Sequence, residues 1–111
     1  MIVKRVACTL GLAALLMLGL SSLLFGSAAP GVEVKIDNFS FAPKALTVPV
    51  GTTVTWVNHD DIPHTVVSTD QVFKSKTLDT DDKFSYVFTK AGRYPYFCSI
   101  HPKMTGEVVV Q

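Results

Sequence analysis

Gly92-Arg93-Tyr94-Pro95-Tyr96-Phe97-Cys98-Ser99-Ile100-His101-Pro102-Lys103-Met104-Thr105-Gly106-Glu107-Val108-Val109-Val110 is the stretch on which the reading of this chain turns. Aromatic residues crowd its first part, Arg93 to Cys98, and valines its last, Thr105 to Val110, and both compositions are those of strands. Between them lies a loop with a thiol, an imidazole and a thioether at intervals of three residues: Cys98, His101 and Met104. Pro95 removes one ladder donor from a strand expected near the core, so its nitrogen has to face a sheet edge or a bulge.

Working towards the N-terminus, Phe84, Tyr86 and Phe88 alternate with Ser85, Val87 and Thr89, the period of a strand with one face buried. Residues 68–82 have no clean period and read as a long connection with at most a weak strand or a helical turn. Thr65-Val66-Val67 reads as a brief strand, Thr52 to Asn58 as a longer one, and Leu46-Thr47-Val48 as a short one ended by Pro49 and Gly51. Val32, Val34 and Ile36 alternate with Glu33, Lys35 and Asp37, and Phe39 and Phe41 extend that alternation to Pro43. About seven or eight short strands with turn signals and no amphipathic helix predict an all-β fold, an antiparallel Greek-key β-sandwich.

The first section of the chain differs from the rest. Lys4 and Arg5 precede an uncharged run from Val6 to Phe25, which ends in Gly26-Ser27-Ala28-Ala29 before Pro30. That is the pattern of a secretory signal. Residues 1–28 are therefore read as a signal peptide cleaved after Ala28, and residues 29–111 as a single domain. A retained run is the alternative, because its length matches the ~20 residues that span a bilayer. Cys8 precedes most of the apolar run, so it is no acylation site. The expected place is periplasmic or otherwise exported, with membrane anchoring as the second option.

From Ala29 onward the net charge is −1, which favours neither nucleic acid nor anionic lipid. So small a domain is marginal without a staple. Cys98 is the one cysteine left after cleavage, so no intramolecular disulfide can form, and a lone thiol in an oxidising compartment is buried, bridged to another chain or committed to chemistry.

Pro63-His64, at the exit of the Trp56 strand, supplies a second imidazole. His64, Cys98, His101 and Met104 then form a set of two histidines, a thiolate and a thioether. Two imidazoles and a thiolate with a weak methionine suit copper moving between Cu(II) and Cu(I). Zinc prefers four firm donors and rarely takes a thioether.

The chain resembles the cupredoxin family, and within it the amicyanins and plastocyanins, over nearly all of Val32 to Val110. The likeness rests on Gly51-Thr52-Thr53-Val54-Thr55-Trp56-Val57-Asn58, on Pro63-His64, on Ala91-Gly92-Arg93-Tyr94-Pro95-Tyr96-Phe97-Cys98 and on Gly106-Glu107-Val108-Val109-Val110. The two residues between His101 and Met104 match the amicyanin spacing. The resemblance implies one type 1 copper ion, with His64, Cys98 and His101 as close ligands and Met104 as the long axial one. It also implies a monomeric carrier of single electrons between transient protein partners, a donor dehydrogenase or cytochrome and an acceptor cytochrome or oxidase, and not an enzyme. Two positions depart from the family. Thr65 stands where amicyanins and plastocyanins usually have Asn, so that its hydroxyl is expected to reach Ser99, and Lys103 stands where amicyanins have an apolar residue, inside the patch that faces redox partners.

The other readings are weaker. Cys98 alone would be a core thiol, Met104 alone core filler and His101 alone a surface histidine; their shared spacing argues otherwise. A Cys–His nucleophile would need an orienting group and an oxyanion site, and neither is apparent. His59 with Asp60 and Asp61, and Asp79 with Asp81 and Asp82, read as solvated loops rather than metal sites. Trp56 is expected in the core and Tyr94 at a tyrosine corner. The rival function is copper storage or delivery, which more often uses exposed methionines; Met104 is the one methionine after Ala28.

Overall fold

The computed structural model describes residues 31–111, so the expectations for residues 1–28 lie outside the described residues. Eight strands follow in order: β1 (Val32–Asp37), β2 (Ser40–Ala42), β3 (Ala45–Val48), β4 (Thr52–Asn58), β5 (Val67–Ser68), β6 (Lys83–Phe88), β7 (Gly92–Phe97) and β8 (Thr105–Val110). They form two four-stranded sheets of order β2-β1-β4-β6 and β3-β8-β7-β5. The described residues contain no helix. The expected all-β sandwich is present, with one difference in its pairing: β1 runs parallel to β4 and β3 parallel to β8. The chain leaves β1 and β2 for β3 in the other sheet and returns as β4, a crossover that brings β4 beside β1 in the same direction. Alternation reports which face a residue takes and is blind to strand direction.

The alternation from Val32 does not run on through Phe39. Asn38 and Phe39 both have positive φ, 52° and 56°, and turn the chain so that β2 folds back on β1, Ser40 opposite Asp37. Phe41 is 3% exposed in the core, whereas Phe39 is 46% exposed. The brief strand expected at residues 65–67 is shifted to β5 at Val67–Ser68. Residues 68–82 carry isolated bridges, Val67 with Lys74 and His64 with Leu78, and seat Phe73 and Leu78 in the core.

Trp56 is fully buried at the centre of the sandwich, with the rings of Phe73, Phe84, Phe88 and Tyr96 around it at centroid distances of 5.3–6.5 Å. Burying such side chains stabilises the fold by ~1.5–3 kcal/mol each. The Tyr94 hydroxyl donates to the Lys90 carbonyl at 2.6 Å and fixes the turn into β7, as expected of a tyrosine corner. Pro95 costs the β7–β8 ladder nothing. It stands opposite Glu107, whose N–H turns away to the Lys44 carbonyl, and on its other side β5 ends at Ser68. The edge expected from sequence is that short strand.

Candidate metal centre

Asn58, fully buried at the end of β4, shapes the approach to His64. Its Nδ2 donates to the carbonyls of Ile62 at 3.0 Å and Leu78 at 2.9 Å, and its Oδ1 accepts the Asp60 N–H at 2.9 Å. An Asx turn of this kind bends the chain without help from a neighbouring strand. His64 then re-enters the core with no exposed surface, its backbone exchanging two hydrogen bonds with Leu78. Across the sandwich, the loop after β7 is closed by Cys98 N–H to the Met104 carbonyl at 3.0 Å and Met104 N–H to the His101 carbonyl at 2.9 Å. This pair of bonds brings Cys98, His101 and Met104 to one end of the molecule, beside His64.

His64 Nδ1 and His101 Nδ1 each lie 3.8 Å from Cys98 Sγ, and the three atoms are within 4.8 Å of one another. Bonds of about 2.0 Å to nitrogen and about 2.3 Å to sulfur, opened to the trigonal angle, place nitrogen and sulfur about 3.7 Å apart. The donor spacing therefore fits one ion held in a His-Cys-His plane. Met104, 6% exposed, packs into the core next to this group. Among the described residues this is the one cluster of histidine, cysteine and carboxylate side chains close enough to share an ion.

The thiol is prepared for a metal. Burial alone would raise the Cys98 pKa; the Thr65 N–H at 3.3 Å, the His64 ring and the backbone and ring of His101 outweigh it and bring the thiol down from 9.0 to about 6. At neutral pH the sulfur is a thiolate, the form that binds metal. Thr65 also ties the two ligand segments together: its Oγ1 accepts the Ser99 N–H at 2.7 Å and lies 2.7 Å from Ser99 Oγ, as expected from the sequence. The same hydroxyl is 3.7 Å from Cys98 Sγ.

Two residues at the site differ from their sequence reading, Asp60, expected in a solvated loop, and Phe39, expected in a strand. Asp60 Oδ2 accepts from His64 Nε2 at 2.8 Å and from the Phe39 N–H at 3.1 Å. Partial desolvation raises the Asp60 pKa, but the Phe39 N–H, His64 and the Asn38 N–H together draw it below 3.8, so the carboxylate stays charged. A carboxylate on the far nitrogen fixes a ligand imidazole's tautomer and orientation. The signal in the sequence is its place four residues before His64, on the inner side of an Asx turn. Phe39 is the other, its ring 5.5 Å from that of His64 and 5.0 Å from that of His101. His59 and Asp61 are exposed and, like Asp79, Asp81 and Asp82, stand outside the cluster, as the solvated-loop reading expects. Asp79 and Asp82 close a turn on each other.

His101 is half-buried, and around it Ile100 at 47% exposure, Phe39, Pro102, Lys103 and Met104 form a shallow, mostly apolar depression. A roomier groove on the β5 edge, lined by Val67, Gln71, Phe73 and Ser99, brings no ligating cluster of its own.

A family model for the cupredoxin-like domain matches residues 9–110. Amicyanin from Paracoccus denitrificans is 36% identical over 85 residues, 72% of this chain and 65% of that protein; amicyanin from Paracoccus versutus is 33% identical over 88 residues, 75% and 67%. The chain thus spans about two thirds of the length of these amicyanins. Plastocyanin from Tetradesmus obliquus is 32% identical over 97% of this chain and 82% of its own. Among solved structures, a purple cupredoxin from Nitrosopumilus maritimus superposes with a TM-score of 0.70 at 39% identity, covering 72% of this chain and 99% of that one. A methionine-to-alanine variant of amicyanin, solved with Cu(I), does so with a TM-score of 0.70 at 35% identity over 73% and 82%. With a His-Cys-His cluster of trigonal spacing at one end of an eight-stranded sandwich, this chain belongs to the cupredoxin-like family, and its cofactor is copper.

Proposed function

We propose that this protein is an exported single-electron carrier, in which His64, Cys98 and His101 hold copper closely and Met104 holds it weakly. The observation that carries the reading is the 3.8 Å spacing of both Nδ1 atoms from the Cys98 thiolate. When bound, the ion supplies the Cu(II)/Cu(I) couple.

The protein's residues do the rest. His64 is fixed by Asp60 and by Leu78, and Cys98 by the Thr65 N–H, so the ligands stay put between oxidation states. Rigid support of this kind is what a fast electron carrier needs. His101 alone among the close ligands reaches the surface, which makes its ring the route for the electron. The apolar rim of Ile100, Pro102 and Phe39 suits transient redox partners, for which rapid release matters more than affinity. Lys103 on that rim adds a positive charge that steers the choice of partner. Retention rather than delivery is favoured because His64 and Cys98 have no exposed surface from which a competing protein could strip the ion.

The test is an absorption spectrum of the Cu(II)-loaded protein, followed by reduction and reoxidation with a small mediator. A strong thiolate-to-copper band in the visible that bleaches and returns over repeated cycles supports the carrier. Loss of copper to a competing apo-protein on reduction would refute it in favour of delivery.

A further inference from the structure

The turn between β1 and β2 holds a residue that its backbone does not want. A two-residue hairpin loop with positive φ at both central positions suits Asn followed by Gly. Asn38 fits the first place, at φ 52°, but Phe39 occupies the second at φ 56°, where a bulky side chain is a backbone outlier. Packing does not explain it, since Phe39 is 46% exposed and Phe41 serves the core from β2. Strain retained against a better alternative points to function.

The ring shows what is gained. It stands nearly perpendicular to both ligand imidazoles, at 90° to His64 and 88° to His101, with centroids 5.5 and 5.0 Å away. The imidazoles are 5.1 Å apart, so the three rings form a triangle of nearly equal sides. Edge-to-face contacts at this range are attractive and directional. The backbone of the same residue is fastened to the site as well, because the Phe39 N–H and His64 Nε2 share one oxygen of Asp60. The two histidines differ in their need for such support. His64 has the carboxylate, whereas the sole polar contact of the His101 ring among the described residues is Cys98 Sγ.

We propose that Phe39 is a positioning residue of the copper centre, its ring holding His101 against His64 in the orientation that binds the ion. The proposal rests on the copper reading above but is a claim about these three rings, which exist without the metal. Removing the ring frees His101 to turn on its loop while leaving the sandwich intact. A residue present only to complete the fold would behave in the opposite way.

Phe39→Gly and Phe39→Tyr separate the two. Glycine suits the positive φ, so Phe39→Gly is expected to melt no lower than the parent in the apo form. Its His101 ring resonances in apo-protein NMR should broaden or average, and the Cu(II) electron paramagnetic resonance spectrum should shift. Copper should pass to a chelator about three- to tenfold faster, the range an edge-to-face contact supports. Phe39→Tyr keeps the ring and should restore all three. The proposal is overturned if Phe39→Gly leaves the His101 signals and the copper release rate as in the parent, or if both change only along with a collapse in apo stability. Failure of the parent to bind copper would sink the copper reading, and the apo-protein NMR comparison would still decide the role of Phe39.

Discussion

Replacing Thr65 by valine removes one hydroxyl while keeping shape, and its consequence can be worked out from the structure. Thr65 is 6% exposed, and its Oγ1 accepts the Ser99 N–H and pairs with Ser99 Oγ, both at 2.7 Å. The main-chain bond from Thr65 N–H to Cys98 Sγ survives the change. Two hydrogen bonds to Ser99 are lost, each with a net worth of about 0.5–1.5 kcal/mol, so the expected loss is about 1–3 kcal/mol, to which the longer 3.7 Å contact of the same hydroxyl with Cys98 Sγ adds little. Water can reach the exposed Ser99 side chain and recover part of its bond, which places the expectation near ~1.5 kcal/mol. For a domain of this size that is a fall of roughly 6–12 °C in the melting temperature of the apo-protein. Thermal denaturation measures it, and a double-mutant cycle with Ser99→Ala isolates the pair, with a coupling of about 1 kcal/mol expected. A fall of less than about 2 °C, or strictly additive effects of the two changes, would refute the idea that this hydroxyl joins the loops.

Other outcomes follow from the same structure. A Cβ on Gly106 would overlap the ring and hydroxyl of Tyr96, whose side chain is buried, so Gly106→Ala should destabilise the protein by ~1–3 kcal/mol in denaturant titration. An unchanged midpoint would mean that Tyr96 moves freely. The Cys98 thiol lies below its unfolded value, so the apo fold gains stability as pH rises from about 6 towards 9 and loses it as pH falls through about 6. Ultraviolet thiolate absorbance of the apo-protein should titrate with a midpoint near about 6, move upward in Thr65→Pro, which lacks the N–H donor, and return to the ordinary range, about 8.5, on unfolding. A folded-state midpoint already in the ordinary range would show that these contacts do not hold the thiolate.

Much of the sandwich is legible because burial on a β-surface has a period of two. Val34 and Ile36 in β1 and Phe88 in β6 are buried where alternation places them. The ligand loop is legible for a chemical reason: thiol, imidazole and thioether at a spacing of three are rarely assembled by packing alone. Phe39 misleads because alternation continues through a turn as readily as through a strand; Asn38 is the cue for the break, and the aromatic at the glycine position hides it. Asp60 does not stand out from its neighbours because a carboxylate in a polar loop has no distinguishing pattern until its partner is known. The segment from Ser68 to Asp82 has no period to read, since its two buried apolar residues, Phe73 and Leu78, are single pegs rather than a stripe.

Sequence by itself determined the class of fold, the donor set and the copper chemistry that follows from two imidazoles, a thiolate and a thioether. These depend on residue type and short spacing, which a chain carries before it folds. Only the tertiary structure decided that β1 and β3 have parallel neighbours, that Asp60 holds His64 and that Phe39 stands against both histidines. Each of these joins residues distant along the chain or set by a turn's handedness, and such pairings exist only once the two sheets have closed on each other.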